Sequence, residues 1–198
     1  MNVGALYIPT DGKTHIFVRI SDGDTTPCDL CFNQSTANSA TVDWGDGSDP
    51  VTGSWTGAGT SKCVSHTYET GGDYEITIDV AEGKTISLNT GSNAWFINNL
   101  IYKVHIGERI TFSSYMFVDS TRLELVTIPR GVTSISTYAF NKNRILKACI
   151  LPDGLTSIDN YAFDDCNSLK VISFPNSLQT VGNYGVAHLY TVKNIYFG

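Results

Sequence analysis

The sequence is poor in charge, and poorest in basic residues. Charged residues fill 16% of its 198 positions, with 13 Lys and Arg against 19 Asp and Glu and a net charge of −6. No cluster of Lys and Arg occurs, which argues against nucleic acid as a partner, because binding a phosphate backbone needs such clusters to displace counterions. No stretch approaches the roughly 20 apolar residues that cross a bilayer, so membrane insertion is not expected. Met1-Asn2-Val3-Gly4 is not followed by a basic segment and an apolar core, and no export signal is visible. The five cysteines are an odd number, which leaves a free thiol in a monomer and argues against a disulfide scaffold. The sequence has no G-x-S-x-G, H-E-x-x-H or P-loop pattern. His15, His66, His105 and His188 show no spacing that suggests a metal site or a catalytic triad. Neither an enzymatic activity nor a cofactor is expected.

What is present is turn chemistry and a repeat. Apolar residues make up 41% of the chain, and 18 glycines accompany many Thr, Ser and Asn, the composition of short strands joined by turns. The length suits two domains of about 100 residues each. In the second half Pro129, Pro152 and Pro175 recur every 23 residues. The same period carries Tyr115, Tyr138, Tyr161 and Tyr184, then Phe117, Phe140, Phe163 and Val186, and then Leu123, Leu146, Leu169 and Val192. Phe112, Ile135, Ile158 and Val181 form another column, and Val126, Cys149, Ile172 and Ile195 a fifth. Fixed offsets of this kind describe the coils of a solenoid, in which stacking buries what one coil alone leaves open. Each coil holds a short strand, as in Cys149-Ile150-Leu151, which a proline ends because it cannot donate to the ladder.

Leu169-Lys-Val-Ile172-Ser-Phe174-Pro175-Asn-Ser-Leu178-Gln-Thr-Val181 resembles the BspA-type leucine-rich repeat, as do Leu123 to Phe140 and Leu146 to Phe163. The resemblance implies a curved solenoid of parallel strands over 97–198, a location outside the cell or on its surface, and adhesion as the role. It also implies an inward position for Cys166. The array departs from the pattern at its ends, with Gly185-Val186 in place of Ala-Phe and Gly107 near where a proline belongs.

In the first half, Thr14 to Ile20 and Tyr74 to Val80 alternate apolar with polar, the period of half-buried strands. Val42-Asp43-Trp44-Gly45-Asp46-Gly47 places glycines where a tight turn demands positive φ, so a hairpin is expected there. This motif, with Ser65-His66-Thr67-Tyr68 and Gly72-Asp73-Tyr74-Glu-Ile76-Thr-Ile78, resembles the PKD domain. The resemblance implies a seven-stranded immunoglobulin-like β-sandwich over 1–89, serving as a spacer or ligand-binding module. The fold class expected for the whole chain is mainly β.

Candidate sites follow from these patterns. Cys28 and Cys31 have the spacing of half a zinc site, or are two small residues in a strand. Asp43, Asp46 and Asp49 crowd one turn and are weak candidates for calcium; the alternative is that they satisfy backbone donors of the turn. Residues 23 apart stack about 4.8 Å from one another, so Tyr115, Tyr138, Tyr161 and Tyr184 form a column. With rings facing solvent it suits a sugar face or a protein groove; otherwise it packs over the Phe column and is structural. The outward positions of the repeat strands are Leu125 and Thr127, Ala148 and Ile150, Val171 and Ser173, Asn194 and Tyr196, an uncharged strip suited to a protein partner. Lys147, Lys170 and Lys193 flank it. The expected function is a non-catalytic adhesion or binding protein for a protein or carbohydrate on a cell surface. The alternative is a structural component of a surface layer or phage particle that uses both domains for protein contacts.

Overall fold

The structure, a computed structural model, describes residues 9–33, 38–55, 62–88, 99–192 and 194–197. Among these residues strands and turns occur and no α-helix does.

The first half contributes β1 (Thr14–Ile20), β2 (Cys28–Asn33), β3 (Asn38–Asp43), β4 (Val51–Trp55), β5 (Lys62–His66), β6 (Gly72–Val80) and β7 (Ile86–Leu88). The alternating segments pair with each other: β1 lies antiparallel to β6, with Ile16 opposite Ile76. Ile16, Val18, Ile20, Ile76, Ile78 and Val80 point the same way and are all buried. The expected hairpin joins β3 to β4, and Gly45 and Gly47 carry its positive φ values of 77° and 85°. A side chain at Gly45 would run into the carbonyl of Glu75, so the turn needs glycine there for space as well as conformation. The buried Tyr68 hydroxyl donates to the Trp44 carbonyl at 2.9 Å and closes the motif from behind.

The second half winds in coils. Strands β8 (Ile101–His105), β10 (Leu125–Thr127), β12 (Ala148–Ile150), β14 (Val171–Phe174) and β16 (Asn194–Phe197) form one parallel face. The short strands β11 (Ser134–Ile135), β13 (Ser157–Ile158) and β15 (Thr180–Val181) form a second parallel sheet, and β9 (Ile110–Thr111) of the first coil pairs elsewhere. The register is the repeat itself: Val126 pairs with Cys149, Ala148 with Val171, and Ser134 with Ser157. Only the first coil slips, with Lys103 opposite Leu125, because it is one residue short.

The two halves share their sheets. The long sheet runs β16-β14-β12-β10-β8-β1-β6-β3-β4, so β1 pairs on one side with β6 and on the other with the first coil strand β8. The other N-terminal sheet, β5-β2-β7, continues into β9. One hydrophobic core therefore extends from Ile16 to Phe174. Gly107 stands where the repeat elsewhere has proline because a Cβ there would collide with the Gly12–Lys13 backbone; its N–H donates instead to the Thr14 hydroxyl at 2.9 Å.

One cysteine pair departs from the expectation against disulfides, while Cys166 lies inward as expected. Cys31 faces Cys63 across the β2–β5 pair and is bonded to it, while Cys28, Cys149 and Cys166 are buried free thiols. Cys28 and Cys31 are three apart in a strand and point to opposite faces, which rules them out as a chelating pair.

All three tryptophans precede residue 99, whereas Phe140 is fully buried in the solenoid between Phe117 and Phe163. If the halves unfold as one unit, Phe140→Ala lowers stability by about 3–5 kcal/mol and shifts the urea midpoint read by tryptophan fluorescence. A tryptophan transition left in place would mean that the halves unfold independently.

Candidate functional site

The most regular feature of the solenoid is its tyrosine turn. Tyr115, Tyr138, Tyr161 and Tyr184 all adopt left-handed backbone, with φ of 64°, 59°, 58° and 55°. Four residues later Asp119, Lys142, Asp165 and His188 do the same. Such a conformation costs a residue with a side chain about 1–2 kcal/mol, so its recurrence needs a cause. The cause is hydrogen bonding along the stack: Tyr115 N–H donates to Thr137 O, Phe117 N–H to Ala139 O and Asp119 N–H to Asn141 O. The next coil repeats the set, with Tyr138, Phe140 and Lys142 donating to Asn160, Ala162 and Asp164. The twist turns alternate N–H groups along the solenoid axis, where the next coil offers carbonyls.

Inside this turn the phenylalanines stack fully buried, with centroids 5.5 and 5.1 Å apart. Beside them a polar column of Ser120, Asn143 and Cys166 ties the coils together. Asn143 accepts from Ser120 N–H and donates to the carbonyls of Phe117 and Phe140 at 2.9 and 3.0 Å. The Cys166 thiol donates to Phe140 O, and burial pushes its pKa up to about 12, which disfavours the thiolate.

On the outside the tyrosine rings stack on each other, with centroids at 4.9, 4.9 and 5.1 Å and planes within 9°. Each such pair contributes about 0.5–1.5 kcal/mol, which offsets the backbone strain. The stacking also decides what the ladder presents. The inner faces are turned to one another, so Tyr138 and Tyr161 offer edges and hydroxyls, while Tyr115 and Tyr184 at the ends are 42% and 54% exposed. Burial, with the neighbouring Tyr161 and Tyr115, raises the pKa of Tyr138.

The outer face of the long sheet carries the other candidates. Val126, Cys149 and Ile172 turn inward and are buried, Ile150 and Ser173 are exposed, and Leu125 and Ala148 are half-buried. Thr127 departs from the expected exposed strip: it is 6% exposed because its hydroxyl is held by His105 Nδ1 at 2.5 Å on the neighbouring strand. The side chains of Val171, Asn194 and Tyr196 lie outside the described residues. His105 is itself buried beneath Phe17. Burial, then the neighbouring Lys103 and His15, lowers its pKa to about 4 and favours the neutral ring at pH 7. Below this point a groove of about 530 Å³ opens between Gly12–Lys13 and Pro129 and Pro152 of the first coils. His105 was legible only as an isolated histidine, since its partners come from strands far apart in sequence. The column Asp119, Lys142, Asp165 and His188 was available from the period.

At the N-terminal turn the carboxylates serve the backbone. Asp43 accepts from Gly45 N–H at 2.9 Å. Asp46 accepts from Ser48 N–H and hydroxyl, and its other oxygen lies 2.7 Å from His66 Nε2. Asp49 is exposed. Among the described residues no group of three or more His, Cys, Asp or Glu could hold a metal ion, and no helix is long and apolar enough to cross a membrane.

In-register coils with a parallel strand face, a buried aromatic ladder and a polar internal column define a leucine-rich-repeat type of solenoid. The chain belongs to the family of the BspA type leucine rich repeat region, whose model matches residues 89–198 in six copies. Among solved structures, the chain is similar to a leucine rich repeat protein of T. pallidum, with 28% identity, 50% of this chain and 46% of that one covered, and a TM-score of 0.43. It is also similar to a leucine rich cell surface protein of Faecalibacterium prausnitzii, with 17% identity, 60% and 36% covered, and a TM-score of 0.49. A leucine-rich repeat protein of Bacteroides capillosus has 20% identity, 62% and 93% covered, and a TM-score of 0.43. The chain spans less than half the length of the first two. No curated protein matches it.

Burial opposes ionisation of Asp46, but Ser48 and His66 outweigh it and bring its pKa from 3.8 down to about 2. A depressed carboxylate stabilises the fold above its unfolded pKa. Stability drawn from Asp46 is therefore present above pH 3.8 and lost as pH falls toward 2. Urea midpoints across that window should slope less for Asp46→Asn than for the parent chain; parallel slopes would contradict this assignment.

Proposed function

We propose that this chain is a non-catalytic binding protein of a cell surface whose outer strand face docks a protein partner. The observation that carries the reading is the character of that face: the side chains of Leu125, Ala148, Ile150 and Ser173 stand side by side on adjacent parallel strands, uncharged and partly or fully open to solvent. An exposed apolar strip is a docking surface more often than a surface left to water. The tyrosine edge is a second contact line in this reading. Its stacked inner rings favour a protein, which meets edges and hydroxyls, over a sugar lying flat on a ring.

In this reading the first half is a PKD-like, immunoglobulin-like β-sandwich over 1–89 and the solenoid occupies 97–198. The Asp-Trp-Gly-Asp-Gly turn and the Tyr68 bond to Trp44 support it. Its role is to cap the solenoid and hold it away from the surface that bears it. The Cys31–Cys63 bond supports a location outside the cytosol, since disulfides persist in oxidising compartments.

Two measurements test the reading. Thiol titration of denatured protein purified from its native host should count three free cysteines, and five after reduction; five without reduction would remove the support for export. Labelled chain should bind intact host or microbial cells saturably, and Ile150→Lys with Ser173→Lys should weaken that binding at least about tenfold, as hot-spot residues do. Unchanged binding by this variant would contradict docking on the strand face.

A further inference from the structure

The free thiols of the chain are shut away, but one half of its disulfide is not. Cys31 and Cys63 stand directly opposite each other on β2 and β5. Leu30 and Phe32 turn into the core and are fully buried, so Cys31 between them lies on the outward face of the sheet. Among the described residues β5 is the edge of its sheet, in the order β5-β2-β7-β9, and has a neighbouring strand on one side only. The two halves of the bond differ accordingly: Cys63 is exposed, whereas Cys31, one strand further in, is 7% exposed. A disulfide opens when a thiolate attacks one of its sulfurs, and access decides which sulfur is attacked. Here access favours Cys63.

The attacking thiolate has to come from outside the chain. Cys28 lies on the other face of β2, and Cys149 and Cys166 lie in the solenoid; all three are buried. Burial raises the pKa of each, to about 12 for Cys28 and Cys166, which disfavours their thiolates. Opening the bond also leaves the strand in place. β5 stays paired with β2 from Cys28 opposite His66 to Phe32 opposite Lys62, Val64 packs on the core, and the His66 ring stacks on Trp44 with centroids 5.0 Å apart. The exchange is therefore a reaction of the folded protein.

We infer that Cys63 is a modification site, at which an external low-molecular-weight thiol forms a mixed disulfide and displaces Cys31. The incoming sulfur bonds to Cys63 Sγ as the Cys31–Cys63 bond breaks, and the electron pair leaves on Cys31 Sγ, which takes a proton. One disulfide is consumed and one is formed, so the step needs no oxidant. The released Cys31 thiol remains opposite Cys63 and recloses the bond when the external thiol is withdrawn. This goes beyond the strand-face reading, since it uses the other sheet; it rests on the disulfide that also supports the location.

The test uses native chain shown beforehand, by thiol counting, to hold three free cysteines. The chain is incubated with excess reduced glutathione, quenched in acid and mapped by peptide mass spectrometry. The expected result is a glutathione adduct on Cys63 and a free thiol at Cys31, with the far-ultraviolet circular dichroism unchanged. Cys31→Ser, which leaves Cys63 as a free thiol, should react with oxidised glutathione at least about tenfold faster than Cys63→Ser, which leaves the buried Cys31. An adduct on Cys31, equal rates for the two variants, or exchange that waits until urea unfolds the chain would overturn the inference alone. A starting count of five free cysteines would overturn it together with the support for the location and leave docking on the strand face to its own test.

Discussion

The structure rests on one constraint: each coil must place its backbone hydrogen bonds and its side chains directly above those of the coil before it. A spacing of 23 residues satisfies both demands together, so Val126 pairs with Cys149 while Phe117 stacks on Phe140. Neither demand suffices alone. The strands of a coil are only two to four residues long beyond the first, too short to hold a sheet by themselves. Side-chain stacking without the backbone ladder would leave the register free to slip. The left-handed tyrosines show how firmly the constraint is imposed, because the chain accepts an unfavourable φ at the same point of four coils to keep its N–H groups aligned with the stack.

The same constraint explains the junction. The first coil of a stack exposes a face that needs cover, and this chain supplies it with strands from its first half. Because β1 is antiparallel to β8, the N-terminal sheet does not merely abut the first coil but continues it. Gly107 marks the place where the two backbones come closest. The outer face is therefore one surface running from the coils into the N-terminal strands, with Thr127 and His105 sealed at the joint.

The columns were legible in the sequence because a solenoid writes its geometry as a period. The period sets Phe117, Phe140 and Phe163 in one apolar column, and strand alternation sets Ile150 and Ser173 opposite the buried Cys149 and Ile172. The hairpin at Gly45 and Gly47 was legible because glycine has a conformational reason to be there. The junction was not, since the alternation of Thr14 to Ile20 marks a strand without naming its neighbour. The Cys31–Cys63 bond was hidden for the same reason: it depends on the β2–β5 register, which no local pattern encodes. The left-handed backbone of the tyrosines leaves no mark in the sequence, because tyrosine, unlike glycine or asparagine, does not advertise positive φ. The orientation of the tyrosine ladder, edge outward and face to face, follows from ring stacking that a period alone does not specify.

Nuclear Overhauser contacts between side chains of adjacent coils give the most direct test of the stacking itself. Ring protons of Tyr138 should show cross-peaks to those of Tyr161, those of Phe140 to those of Phe163, and Val126 methyls to Cys149, all between positions 23 apart. Cross-peaks that link positions at another interval, or rings of one column that see only their own coil, would contradict the account.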